Sequence, residues 1–184
     1  MKRKFVSLAL IALLTFASIS QTACGNDATL ARVGNVAVQL AFGFESEVNA
    51  LAAAGLLSGD KLARLQRNVS AAKLSAGALN TYLLGLKEVN ANDKAQITQK
   101  VAELAAIISS VLTSQEAFGL NENQAVVKVL RYATISLNQI ALVIAALNPP
   151  AAGIASAGQP SGIPVSKIKV QFSEPPPEVK ALLK

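Results

Sequence analysis

The chain has 184 residues, with no histidine, no tryptophan and one cysteine, and its 17 basic against 11 acidic residues give a net charge of +6 at pH 7. A lone cysteine rules out an intramolecular disulfide. Without histidine the chain lacks the usual general base near neutral pH and the commonest transition-metal ligand. Di-iron bundles need Glu-x-x-His pairs, haem bundles need His or Cys-x-x-Cys-His, and the familiar zinc sites need Cys/His sets, so neither a metal nor a cofactor is expected.

At the N-terminus Lys2-Arg3-Lys4 leads into an apolar run from Phe5 to Ile19 and then into Ser20-Gln21-Thr22-Ala23-Cys24-Gly25. A basic start, a short apolar stretch and small residues before a cut site have the form of an export signal. The segment resembles the bacterial lipoprotein signal peptide, in which cleavage before an invariant cysteine leaves that cysteine carrying lipid. Thr22 and Ala23 fit that pattern, while Gln21 stands where the family usually has Leu or another aliphatic residue. The resemblance implies a signal peptide over residues 1–23 and lipidation of Cys24. Gly25, where an Asp resembles an inner-membrane retention signal, implies the outer membrane if the source has one. The alternative is cleavage after Ser18-Ile19-Ser20, releasing a secreted or periplasmic protein with a free Cys24.

Removing residues 1–23 takes away Lys2, Arg3 and Lys4 and no acid, so the net charge falls from +6 to +3. Half of the basic excess belongs to the signal. Nucleic acid is therefore not expected as a partner, since export also removes the protein from it.

Four segments with helical spacing follow. The first, about 28–53, places Leu30, Val33, Ala37, Leu40, Phe44, Val48 and Leu51 on one face. The second, about 60–89, carries a seam of Leu62, Leu65, Val69, Ala72, Ala76, Leu79, Leu83 and Leu86 in steps of three and four. The third, about 93–118, has Ile97, Val101, Leu104, Ile108, Val111, Gln115 and Phe118. The fourth, about 122–147, has Val127, Leu130, Thr134, Leu137, Ala141 and Ile144. Its end, 140–147, is apolar all round but too short to cross a bilayer; it reads as a buried helix end or as an exposed patch for a partner or lipid.

The breaks between these segments are short. Gly55 to Gly59, Asn90-Ala91-Asn92 and Gly119-Leu120-Asn121 separate them, with Ser58, Asn92 and Asn121 as expected N-caps. Asp60, Asp93 and Glu122 suit the positive ends of helix dipoles, and Gly119 is expected to be a left-handed stop. Short connections force antiparallel neighbours, so the expected fold is all-α: an up-down-up-down four-helix bundle over 24–148. Gly77 and Gly85, costly inside a helix, suggest close helix approach.

From 149 to 184 the composition changes to a Pro/Gly-rich linker and an extended tail. Ile168, Val170 and Phe172 alternate with Lys167, Lys169 and Gln171, which predicts a short strand. Pro175-Pro176-Pro177 predicts an extended polyproline run. These six apolar positions form a candidate partner-binding tail, acting by strand addition or by polyproline docking. The competing reading is a strap along the protein's own helices, or a loose terminus.

The second segment is the most basic, with Lys61, Arg64, Arg67, Lys73 and Lys87 against Asp60 and Glu88, and the first four of these border and oppose its seam. They form a candidate contact for anionic lipid headgroups or an acidic envelope polymer, against the plainer reading of a solvated face beside the more acidic first segment. Glu45, Glu47, Glu88, Glu103, Glu116 and Glu122 show no paired-carboxylate spacing and read as solvated or salt-paired. Gly55-Leu56-Leu57-Ser58-Gly59 has the Gly-x-x-x-Gly spacing of membrane helix dimers but falls at a break and reads as a turn. Asn68-Val69-Ser70, a glycosylation-like triplet, falls mid-helix.

With no catalytic motif, the sequence predicts a non-catalytic, lipid-anchored protein of the cell envelope. It would bind a membrane through its N-terminal lipid and an envelope protein through its tail or a bundle face. The alternative is a membrane-active or apolar-ligand-carrying helical bundle.

Overall fold

The computed structural model describes residues 27–149 and 162–182. The export signal, Cys24, Gly25 and the greater part of the expected linker lie outside the described residues.

The protein is an all-α helical bundle. Its four long helices are α1 (Leu30–Ala53), α2 (Gly59–Gly85), α3 (Ala91–Thr113) and α5 (Ala125–Ala146), with a single-turn α4 (Gln115–Phe118) between the last two. Each long helix packs on two others in the cyclic order α1, α2, α3, α5. Successive helices run antiparallel, so the α1 and α3 N-termini share one end of the bundle with the α2 and α5 C-termini. Lys94, in the first turn of α3, donates to the carbonyls of Ala145 (2.8 Å) and Leu147 (2.7 Å) at the end of α5. There its cation meets the negative end of the α5 dipole.

The seams predicted by spacing form the core. Leu65, Val69, Ala72, Ala76, Leu79 and Leu83 of α2 are buried, as are Ile97, Val101, Leu104, Ile108 and Val111 of α3. Leu62 and Leu86, at the ends of the predicted seam, are only partly covered. On α5 burial extends well beyond the predicted positions, to Val126, Val129, Tyr132, Ala133, Ser136 and Ile140. The excess comes from packing on a third side, against the C-terminal segment. By length and composition α5 could cross a membrane, with a mean hydropathy of 1.5 over its most apolar window, but 44% of that window is buried inside the bundle. The 140–147 stretch is not uniformly buried: Ile140 and Ile144 face the core while Leu142 is 70% exposed.

The helix ends depart from the sequence reading in two places. Helix α3 is capped by Asn90, two residues before the expected Asn92. The Asn90 Oδ1 accepts from the amides of Asn92 (2.8 Å) and Asp93 (3.0 Å), while Asp93 Oδ2 accepts from the Asn90 amide (3.0 Å). This reciprocal box satisfies amides on both sides. Helix α5 starts after Gln124, because Asn121 is spent on a turn of its own, accepting from the Asn123 amide at 3.1 Å. Glu122 accordingly lies outside the helix and pairs with Arg131. Ser58 does precede α2, without a side-chain hydrogen bond. The Gly55–Gly59 stretch is a turn, as read, and Gly119 ends α4 with φ 77°.

Close helix approach occurs, but not where Gly77 and Gly85 suggested. A Cβ on either would meet nothing within 4 Å. The tight contact is at Gly34 of α1, where a Cβ would lie 2.5 Å from the Asn80 Cα of α2.

The C-terminal segment belongs to the same core, so the apolar interior does not stop at the composition change near 149. Strand β3 (Ile163–Pro164) pairs antiparallel with β2 (Glu88–Val89) in the α2–α3 connection. At Gly162 the chain lies so close that a Cβ would be 2.8 Å from the Val89 carbonyl oxygen. A 3-10 turn (Val165–Lys167) leads to β4 (Lys169–Gln171), which pairs with β1 (Asp27–Thr29) in the register Ala28 to Val170. Beyond it the Gln139 and Tyr132 side chains of α5 hydrogen-bond Ser173, and α6 (Pro177–Leu182) packs on α5. Pro177 opens this short helix, a position suited to its fixed φ and missing amide, so the polyproline expectation fails there.

Two outcomes test this packing. Gly34→Ala should lower the urea midpoint by an amount corresponding to about 1–3 kcal/mol, while Gly77→Ala should raise stability by up to about 1 kcal/mol. Ile168→Ala, removing a side chain that is 4% exposed, should cost roughly 2–4 kcal/mol in the same denaturation, a loss that a loose tail could not produce.

Candidate functional site

The feature that distinguishes one end of the bundle from the other is its closure by the chain's own C-terminus. The first amide of α1, Leu30, finds no partner inside the helix; it donates to the Ile168 carbonyl at 2.9 Å. The Val165 amide donates to the Lys87 carbonyl at 3.0 Å. Val165, Ile168, Val170 and Phe172 lie buried against the helices. The predicted alternation is therefore real, but the strand is added to β1 of the same chain. Ile168, Val170 and Phe172 are occupied internally, as the strap reading expected, while Pro175 is half-buried and Pro176 and Pro177 are exposed.

The chain enters this end at Asp27, three positions after Cys24. Around it stand exposed Arg32, Lys87, Lys167 and Lys169. Lys167 and Lys169 alternate with the buried Ile168 and Val170, so they sit on the outer side of the strap. Sequence reading assigns Lys87 to the basic second segment and Lys167 and Lys169 to the predicted strand but does not join them, because no single segment collects them. Their proximity depends on the pairing of position 29 with position 169 and on the Lys87–Val165 hydrogen bond.

The basic residues singled out on α2 are placed elsewhere. Lys61, Arg64 and Arg67 lie in its first turns, at the opposite end, and Lys61 Nζ lies beside Gly119. Arg64 sits over the Phe118 ring, 5.5 Å from its centroid. Lys73 is bound bidentately by Glu45 of α1 (2.8 and 2.9 Å) and lies over the Phe42 ring at 4.8 Å. Thus Lys73 offers little charge to an outside partner. Arg67 is exposed.

Several of the carboxylates are engaged locally. Besides Glu45, Glu103 accepts from Gln99 and Glu122 from Arg131, and burial raises the pKa of Glu47. Among the described residues no group of three or more His, Cys, Asp or Glu side chains is placed to hold a metal ion. The cavity between the helices, lined by residues including Leu40, Phe44, Ala72, Leu104 and Leu137, has about 10 Å³ of free volume. That is room for one water molecule at most.

At the strapped end the α3 cap extends into a side-chain network. Tyr82 of α2 donates to Asp93 Oδ1 at 2.7 Å, and Lys100 lies over its ring at 5.5 Å. Burial first, then the hydrogen bond to Asp93 and its negative charge, push the Tyr82 pKa up to about 12. Burial also raises that of Tyr132, whose hydroxyl donates to the Ser173 carbonyl.

Comparison with protein-family models, with curated proteins and with solved structures finds no match.

A pH expectation follows from the two tyrosines, the only ones in the chain. Their folded pKa values lie above the unfolded value near 10, so the stability they contribute is complete below about pH 10 and is lost as pH rises through the folded values. Absorbance at 295 nm should rise above pH 10 for both tyrosines, near pH 12 for Tyr82, with Tyr82→Phe removing that last step. Asp93→Asn should move the Tyr82 transition downward without returning it to 10, because burial remains.

Proposed function

We propose that the protein is a lipid-anchored component of a bacterial cell envelope that acts by binding, with Cys24 as the lipidated residue. The single observation that carries this reading is the position of the chain's one cysteine. It follows a basic-then-apolar export-like segment and stands three residues ahead of the first strand of the folded body. An acylated Cys24 would hold the bundle at a membrane surface, in the outer membrane where the source has one. An envelope partner would meet a helix face, since the apolar side chains of the strap are engaged within the bundle. The closed core weighs against the second reading, a carrier of apolar ligands, because a cavity of about 10 Å³ would have to open before any lipid-sized molecule entered.

The test is the intact mass of the protein extracted from membranes of expressing cells, beside Cys24→Ala. The expected result is a chain beginning at Cys24 with the added mass of acyl groups, and failure of the variant to mature in that form. An unmodified chain beginning at Gln21 would overturn the anchor and leave a diffusible helical bundle.

A further inference from the structure

We infer that the strapped end of the bundle is a contact surface for anionic phospholipid headgroups, made by Lys87, Lys167 and Lys169 with Arg32. This inference rests on the anchored reading of Cys24 and adds an orientation and a lipid preference to it. Only Gly25 and Asn26 separate Cys24 from Asp27, so even a fully extended connection reaches roughly 10 Å. The charged groups that can act on the anchoring membrane are those near the chain's entry, because screening at physiological ionic strength limits exposed charges to about 8 Å.

The strap places its lysines there. Lys169 stands opposite Thr29, the residue before α1, and Lys167 is two residues from Val165, whose amide is held by the Lys87 carbonyl. All three lysines and Arg32 are exposed. The buried partners Ile168 and Val170 fix the direction in which Lys167 and Lys169 face, away from the core. The acids at this end are Asp27, Glu88 and Asp93. Glu88 has a partner, and Asp93 is held by Tyr82 and the Asn90 amide. Lys94 is turned inward onto the α5 carbonyls.

The α2 basic face is the rival, and geometry sets it aside. Lys61 lies 24 positions before Gly85 on the helix, so this face begins roughly 35 Å from the anchored end. It could reach the membrane only if the bundle lay on its side, and in that posture Lys73 would still be neutralised by Glu45.

The unique thiol makes the surface testable by itself. The chain from Cys24 to Lys184, which contains every described residue, is coupled through Cys24 to a maleimide lipid. The coupled protein is placed in vesicles of phosphatidylcholine, with or without one-third phosphatidylglycerol, and its lysines are acetylated by a water-soluble active ester and read by mass spectrometry. Lys87, Lys167 and Lys169 should react roughly fivefold more slowly on the anionic vesicles, the scale expected for a lysine held near such a surface, and 0.5 M salt should abolish the difference. Lys61 should react equally on both vesicles. Equal rates at the strap lysines on the two vesicle types, or slowing at Lys61 in their place, would overturn the inference. A Lys167→Gln, Lys169→Gln double variant should lose the slowing at Lys87 as well, whereas Arg64→Gln, Arg67→Gln should keep it. Coupling supplies the anchor chemically, so a negative result counts against the surface and leaves the natural lipidation to the intact-mass measurement.

Discussion

Aliphatic burial between four antiparallel helices is the interaction on which everything else in this protein depends. Neither a disulfide nor an aromatic-rich centre assists it, because the chain has one cysteine and few large rings. The fold must therefore fit Leu, Val, Ile and Ala side chains closely enough to leave almost no free volume. Where α1 meets α2 the fit is so close that Gly34 admits the Asn80 backbone. A dense interior of this kind has little room for ligand, and it moves the search for function to the surface and the termini.

That interior is open at one end until the C-terminal segment covers it. Ile168, just before β4, supplies the carbonyl for the first amide of α1 and β4 buries Val170, while β3 ties the α2–α3 connection. The first strand of the described chain and the segment from Gly162 to Gln171 thus meet at one pole of the bundle. Any molecule or membrane held by the N-terminus is brought to a surface whose chemistry is written partly at the C-terminus.

Much of the bundle was legible in the sequence because helical periodicity is local. The three-and-four spacing of Leu65, Val69, Ala72, Ala76 and Leu79 marks the buried face of α2 without reference to any other segment. The alternation at Ile168, Val170 and Phe172 likewise revealed a strand. Its pairing was not legible, because Asp27-Ala28-Thr29 has no pattern of its own and becomes a strand only against β4. The same non-locality hid the cluster at the strapped pole, whose members come from separate parts of the chain. Cap positions failed for a smaller reason. Asn90 and Asn92 are equally good acceptors in isolation, and the choice follows from Asp93 closing the reciprocal box with Asn90.

The pairing of positions 27 to 29 with 169 to 171 also imposes an order in time. Contacts between successive helices join neighbouring stretches and can form while the chain is still arriving, whereas the strap must wait until nearly the last residues exist. A chain stopped shortly after α5 could assemble its helices, yet the Leu30 amide would lack its acceptor and the apolar pole would stay uncovered. Synthesis past Gln171 is thereby translated into closure of the fold. A shortened product would show greasy surface at the pole nearest its N-terminus, the kind of surface that proteases and chaperones act on.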